Sequence, residues 1–380
     1  MIKILHVITD TSTGGAQTML YKLLANMDRS RFESSVVSLR DCGPVGDRIQ
    51  ELGIPVYPCE MRTDRPDFGA FRKLVRRLQA EKPDIVQTWM YHSDLFGGIA
   101  TRFAGKPRLV WNIRHTRLDP VSIRKSTIMI GKACSKLSGR LPDRILCCSE
   151  AAHRDHLSLG FNANKMQVVP NGFVLSEFKP HPEQRAVMRK QLDIPAGAKV
   201  IGHAGRFHAM KNHEGFIKAA KIASAECPDL YFVMCGDDVT WENIDLSKWI
   251  REAGLEPRFR LLGRRSDMPS VYSSMDIATL CSIYGEGFPN VVGEAMACSV
   301  PCVVTDVGES SVIVGNTGLC VPPGDTAALS RAWLNLVNRG GEELSVLGQC
   351  TRERIDSMFE IGAVARQYET VYTELLDGRR

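Results

Sequence analysis

Short apolar runs rich in Val and Ile alternate with stretches of helical period along most of the 380-residue chain, and they do so in two successive blocks. In the first block the pattern predicts strands at Ile2–Ile8, Glu33–Leu39, Pro55–Tyr57, Asp84–Thr88, Arg108–Asn112 and Arg144–Cys148, with helices such as Gln17–Met27 and Phe71–Glu81. In the second it predicts strands at Val200–Ala204, Tyr231–Cys235, Phe259–Leu262, Ile277–Leu280, Val300–Thr305 and Gly318–Val321. Helices there fit Asn212–Glu226, Ser266–Ser274, Val291–Ala297 and Thr326–Asn338. Strand–helix alternation with β-branched strands means parallel sheets covered on both faces. Two sets of six strands are too many for one ordinary sheet, so the expectation is two doubly wound α/β domains. The linker between them is expected within Pro170–Pro195, where Pro170-Asn171-Gly172 makes a turn and Pro180, Pro182 and Pro195 follow. Ligands of such sheets sit beyond the carboxyl ends of the strands, so two facing domains would form a cleft between those ends.

Composition narrows the class. With 44% hydrophobic and 24% charged residues the chain is not disordered, and no apolar run approaches the ~20 residues of a membrane span. Met1–Ile8 reads as a first strand rather than a leader, so a soluble protein is expected. The twelve cysteines are scattered without a CxxC pair, which points to reduced thiols used as small core residues and to a cytoplasmic location. Residues 1–172 hold 26 Lys/Arg against 16 Asp/Glu, a balance of +10, whereas residues 173–380 hold 22 against 27, a balance of −5. One basic half suggests an anionic surface or ligand, and no nucleic-acid-binding signature accompanies the charge.

The densest chemistry lies in Glu286-Gly287-Phe288-Pro289-Asn290-Val291-Val292-Gly293-Glu294. Gly287 and Pro289 suit a tight turn, Asn290 suits a helix cap, and a helix follows. Two carboxylates eight residues apart thus leave one strand end for one pocket. Glu286 alone would fit a helix start, where acidic groups favour the dipole. Glu294 is inside a small, apolar stretch, where a carboxylate is costly without partners, and vicinal ribose hydroxyls would suit it as donors. Gly205-Arg206 and Lys211 follow the strand Val200–Ala204 and precede a helix, a placement that suits a diphosphate. Gly14-Gly15-Ala16 follows the first strand, but no GxGxxG is present, which disfavours a nicotinamide dinucleotide. His115 lies just past Arg108–Asn112, beside Arg114. Asp237 and Asp238 end another strand without a DxD pattern, so a metal is not expected, and Gly263-Arg264-Arg265 lies close to that strand end.

Together these segments resemble the E-x7-E signature of retaining glycosyltransferases of family 4. The resemblance spans nearly the whole chain and includes Gly14-Gly15-Ala16, His115, Pro170-Asn171-Gly172, Gly205-Arg206 with Lys211, Met296-Ala297-Cys298 and Pro301-Cys302-Val303-Val304. It implies the GT-B architecture: two facing Rossmann-like domains, an acceptor-binding one over 1–172 and a nucleotide-sugar-binding one over 173–360. A C-terminal helix over 361–380 would pack back towards the first. The implied reaction moves a hexose-type sugar from a UDP- or GDP-sugar to a glycan or lipid-linked glycan, in polysaccharide or glycolipid synthesis, with retention and no metal or other cofactor. Arg206 and Lys211 would then stabilise the leaving diphosphate, Glu294 would hold ribose, Glu286 the sugar hydroxyls, and His115 the sugar. Gly14, Gly15, Gly287, Phe288, Pro289 and Asn290 would complete the donor site. No residue is assigned as a conventional base, since in this family a front-face mechanism gives the acceptor's proton to the departing phosphate. Arg114 would contact either donor phosphate or an anionic acceptor.

Two basic amphipathic stretches, Phe71–Leu78 and Ile123–Leu141, read equally well as solvated surface helices or as a surface for anionic lipid. The resemblance favours the lipid reading, because many members elongate lipid-linked glycans on the cytoplasmic leaflet. A nucleotide-sugar 2-epimerase of the same architecture and a non-catalytic glycan-binding protein are the rival expectations.

Overall fold

The computed structural model describes residues 1–62, 67–116 and 124–378. The chain divides into two units, Phe173–Glu360 and a unit formed by Met1–Gly172 with the C-terminal helix Ile361–Asp377.

The first unit is built on seven parallel strands: β1 Ile2–Ile8, β2 Phe32–Ser38, β3 Val56–Pro58, β4 Ile85–Trp89, β5 Arg108–Ile113, β6 Arg144–Cys147 and β7 Met166–Val168. Their spatial order is β3-β2-β1-β4-β5-β6-β7. The seventh strand corrects the expectation of six. Met166-Gln167-Val168 is a three-residue edge strand and nowhere fully buried, so it lacks the apolar run that marks its neighbours. The central strands are closed to water on both faces, as the burial of all five residues of β4 shows.

The second unit has six parallel strands: β8 Lys199–Ala204, β9 Leu230–Cys235, β10 Phe259–Leu261, β11 Ile277–Leu280, β12 Cys302–Thr305 and β13 Leu319–Val321, in the order β10-β9-β8-β11-β12-β13. Phe216, Phe232, Phe259 and Trp333 form an aromatic centre on one face of this sheet, and Trp333 Nε1 donates to Thr279 Oγ1 at 2.9 Å. That bond lets a large indole be buried without an orphaned N–H.

Helix starts follow the local chemistry. Asp67, Ser149, Asn212, Asn243 and Asp325 each accept a hydrogen bond from the amide three residues on. Both sheets reverse direction once. The chain winds outward from β1 through β2 to β3 and returns as β4 on the other side of β1, and β8 to β11 repeats this. The crevice for a ligand falls at such a reversal, beyond the carboxyl ends of β1 and β4 and of β8 and β11.

Candidate active site

In the second unit, the β8 and β11 ends carry the residues singled out from the sequence. Beyond β8 the chain passes through Gly205 and Arg206 into a 3-10 turn, Ala209–Lys211, then enters the helix His213–Glu226. Beyond β11 it reaches Ser282 and Glu286, then the helix Asn290–Ala297. Lys211 Nζ meets Glu286 Oε1 at 2.5 Å, and Ser282 Oγ donates to the same oxygen at 2.5 Å. The side chains of Lys211 and Glu286 are 13% and 9% exposed, so this is a nearly buried ion pair. Removing one partner of such a pair typically costs about 3–5 kcal/mol, because it strands a charge. Arg206 is exposed and makes no ion pair among the described residues. Glu294 is half-buried, and Tyr272, itself buried, donates its hydroxyl to Glu294 Oε2 at 3.1 Å.

Backbone contacts fix the loop that presents Arg206 and Lys211. Gly205 N donates to the Cys235 carbonyl, and Phe207 N to that of Asp237, both at 2.8 Å. Burial lowers the His213 pKa to about 4, and the Gly205 carbonyl acts in the opposite direction. A Cβ on Gly236, whose φ is +152°, would lie 2.1 Å from Gly205 O, so that approach requires glycine. On the other side Gly308 (φ +63°) presses on Glu286, where a Cβ would lie 2.2 Å from the Glu286 carbonyl oxygen, and Glu309 N donates to Gly287 O. Sequence reasoning missed Ser282, Tyr272, His213 and Gly308. Only a buried hydroxyl or a close approach marks them, and neither leaves a pattern in one sequence.

Two readings of the acidic segment change. Asn290 is the first helical residue and Pro289 occupies the cap position, because the Gly287–Pro289 turn brings the chain to helical geometry one residue early. The Phe288 side chain belongs to the core, 6.1 Å from the Phe173 ring and 5.5 Å from that of Phe359. It anchors the Glu286 loop by packing. Asp237 pairs with Arg264 at 3.6 Å on an exposed edge, while Arg265 is bidentate to Asp267.

The first unit has its own site at the β1–β4 reversal. A cavity of about 400 Å³ is lined by Asp10, Gly15, Met90, Tyr91, Arg114 and His115, among others. Gly14 is the extended N-cap of the helix Gly15–Asn26 and offers no side-chain cap. His115 stacks on Tyr91, with ring centroids 6.2 Å apart and planes 19° from parallel. His156 Nδ1 lies 2.6 Å from the Ala152 carbonyl, which can only accept, so Nδ1 carries the proton and Nε2 accepts from the Tyr91 hydroxyl. Burial lowers the His156 pKa to about 4 and holds His115 below its ordinary value, which keeps both imidazoles neutral at neutral pH. Met90 carries a φ of +73°, a strained backbone at the cavity wall.

Arg114 lines this cavity, yet its terminal nitrogens are engaged elsewhere. Nη1 donates to Asn171 Oδ1 at 2.6 Å, Nη2 donates to the Tyr368 hydroxyl, and the guanidinium lies 5.0 Å from the Trp89 ring centroid. It ties the His115 strand end to the C-terminal helix.

Similarity to known proteins agrees with this arrangement. Residues 13–177 match the family model described as Glycosyltransferase Family 4, and residues 198–339 that described as Glycosyl transferases group 1. A UDP-Gal:alpha-D-GlcNAc-diphosphoundecaprenol alpha-1,3-galactosyltransferase of Escherichia coli is 24% identical over 99% of this chain and 97% of its own. The capsular polysaccharide biosynthesis glycosyltransferase CapM of Staphylococcus aureus is 26% identical over 82% of each chain. Among solved structures, HepE of Anabaena in complex with UDP superimposes with a TM-score of 0.85 at 22% identity, covering 98% of this chain and 100% of that one. The fold is that of the GT-B enzymes, and the class is glycosyltransferase. Within that class the chain belongs to the family 4 type.

Proposed function

We propose that this enzyme transfers a hexose-type sugar from UDP to a lipid-linked or polysaccharide glycan, with retention at the anomeric carbon. The reading rests on the buried Lys211–Glu286 pair with Glu294 close along the chain at the β8–β11 reversal. Its donor and acceptor classes come from relatives: the Escherichia coli enzyme is named for UDP-Gal and a diphosphoundecaprenol acceptor, and the Anabaena protein is a UDP complex. Arg206 and Lys211 take the charge that develops on the leaving diphosphate, with no metal ion called on. Preorganised donors of this kind are worth about 100–1000-fold in rate each. Glu294 holds ribose hydroxyls and Glu286 orients the sugar.

Helix Lys125–Leu137, which leaves Ile123 outside the described residues, exposes Met129 together with Lys132 and Lys136, and helix Phe68–Glu81 exposes Phe68, Arg72 and Arg76. No described helix is long and apolar enough to cross a membrane. These exposed apolar and basic side chains support peripheral attachment to an anionic cytoplasmic leaflet, although Lys73 and Arg77 are engaged with Glu60 and Glu81. Charge reversal at Lys132 and Lys136 is expected to weaken sedimentation with anionic vesicles, and unchanged sedimentation would contradict the attachment.

The test of the reaction is incubation with labelled UDP-Gal or UDP-Glc and a synthetic diphosphoundecaprenol-linked GlcNAc acceptor. Product with an α linkage by nuclear magnetic resonance is expected, and none after Glu294→Ala. Conversion of the donor without acceptor would instead favour an epimerase.

A further inference from the structure

A second polar cavity lies at the opposite end of the first sheet, beside the amino ends of β5 and β6, far along those strands from His115. It measures about 340 Å³ and is lined by Arg102, Lys106, Arg108, Arg140 and Lys165, with Asp143 as its acidic member. We infer that this cavity is a binding site for a phosphate or diphosphate group, separate from the donor site.

The charge balance is the first argument. Five cations face one carboxylate, and Asp143 is already committed, accepting from Arg108 Nη1 and from Leu109 N, both at 2.8 Å. The second argument is preorganisation. Arg102 Nη2 is anchored to the Arg140 and Leu141 carbonyls, and Lys165 Nζ to those of Gly139 and Pro142, at 2.5–3.2 Å. These bonds cap the chain after helix Lys125–Leu137, a structural service for two of the cations. They leave Arg102 Nη1 and Nε, and one ammonium proton of Lys165, to point elsewhere. Arg108 Nε is buried and has no partner among the described residues. Burial pushes the Lys165 ammonium below its ordinary pKa against the opposing pull of Asp143, and the Arg102 and Arg144 charges add to the shift. Capping accounts for Arg102 and Lys165, but not for Arg140 or the orphaned Arg108 Nε.

A phosphate group here could arrive on a soluble phosphoester or on a lipid headgroup, and exposed Phe103 and Ile99 near Arg102 leave the second route open. The test uses Lys106→Glu/Arg140→Glu, which spares both capping side chains. Calorimetry with inorganic pyrophosphate is expected to show two sites per chain in the unaltered protein, one displaced by UDP. The double variant should keep the UDP-displaceable site and lose the other, with affinity there falling at least tenfold. If the donor-site reading fails while this one holds, the unaltered protein binds one equivalent that UDP does not displace, and the variant binds none. Vesicles of phosphatidylglycerol in phosphatidylcholine separate the sources. Weaker sedimentation of the variant, with competition by pyrophosphate, identifies a headgroup phosphate. Unchanged sedimentation alongside lost pyrophosphate binding identifies a soluble one. Identical pyrophosphate isotherms for the two proteins would overturn the site.

Discussion

Lys211 and Glu286 hold each other's charge where little water reaches them, so substitutions there report on stability as well as on catalysis. Lys211→Ala is expected to lower the melting temperature by several degrees, in keeping with a stranded carboxylate. Lys211→Met combined with Glu286→Gln should recover most of that loss, since neither side chain then carries charge, while transfer stays abolished. Failure of the double variant to recover stability would show that the pair is not the source of the effect. Tyr91 makes a second test, because its hydroxyl is the donor that satisfies His156 Nε2 and its ring supports His115. Tyr91→Phe keeps the ring and strands the imidazole acceptor, at a cost of about 1–3 kcal/mol. The positions of the residues with charge or special chemistry were legible in the sequence at this scale: Arg206, Lys211, Glu286 and His115 lie in segments that follow strands, and Glu294 lies in the helix Asn290–Ala297. Their partners Ser282, Tyr272 and His213 were not, because a buried hydroxyl or imidazole looks like any other until its neighbour is known. Arg114 shows the same limit: its charge suggested a ligand contact, and its hydrogen bonds to Asn171 and Tyr368 could not be read from one sequence.

Among elements, the strand–turn–helix segments carry the site, and glycines set how closely they approach. A Cβ on Gly293 would lie 2.1 Å from the Phe173 ring, which packs against the helix holding Glu294. Gly293→Ala is therefore expected to destabilise the second unit by about 1–3 kcal/mol and to weaken UDP binding through the displaced helix. Chemical denaturation with a parallel binding assay checks both effects, and normal stability would show that Phe173 yields easily. The long, buried strands announced themselves because both faces need apolar residues. β7 did not, since an edge strand of three part-exposed residues satisfies neither the alternating nor the continuous apolar pattern. Asn290 shows the limit of local propensity: it favours caps in general, yet the preceding turn gave that place to Pro289.

At the level of the whole molecule, the first unit is completed by residues from the far end of the chain. Tyr368 stacks on Trp89 at 6.5 Å, Tyr372 donates to Gln87, and Asp28 N donates to Glu369 Oε1 at 2.8 Å. Deletion of residues 361–380 should therefore unfold the first unit and leave the second folded, visible as one lost melting transition. Both units also bury neutral histidines: burial lowers His6 to about 3, and His156 and His213 to about 4. Such groups bind fewer protons folded than unfolded, so stability is full above the ordinary histidine range and falls as pH drops from about 6.5 towards 4. Each contributes on the order of 3 kcal/mol to that loss by pH 4. His213→Phe keeps a ring beside His203 and Phe207 and should flatten the slope for the second unit; an unchanged slope would remove His213 from the account.

The most direct measurement is calorimetric titration of UDP into the unaltered enzyme and into Glu294→Gln, a change that keeps the shape of the side chain and removes its charge. Tight binding that weakens at least tenfold in the variant is the predicted result. Equal affinity in the two proteins would mean that the nucleotide is held somewhere other than the β8–β11 reversal.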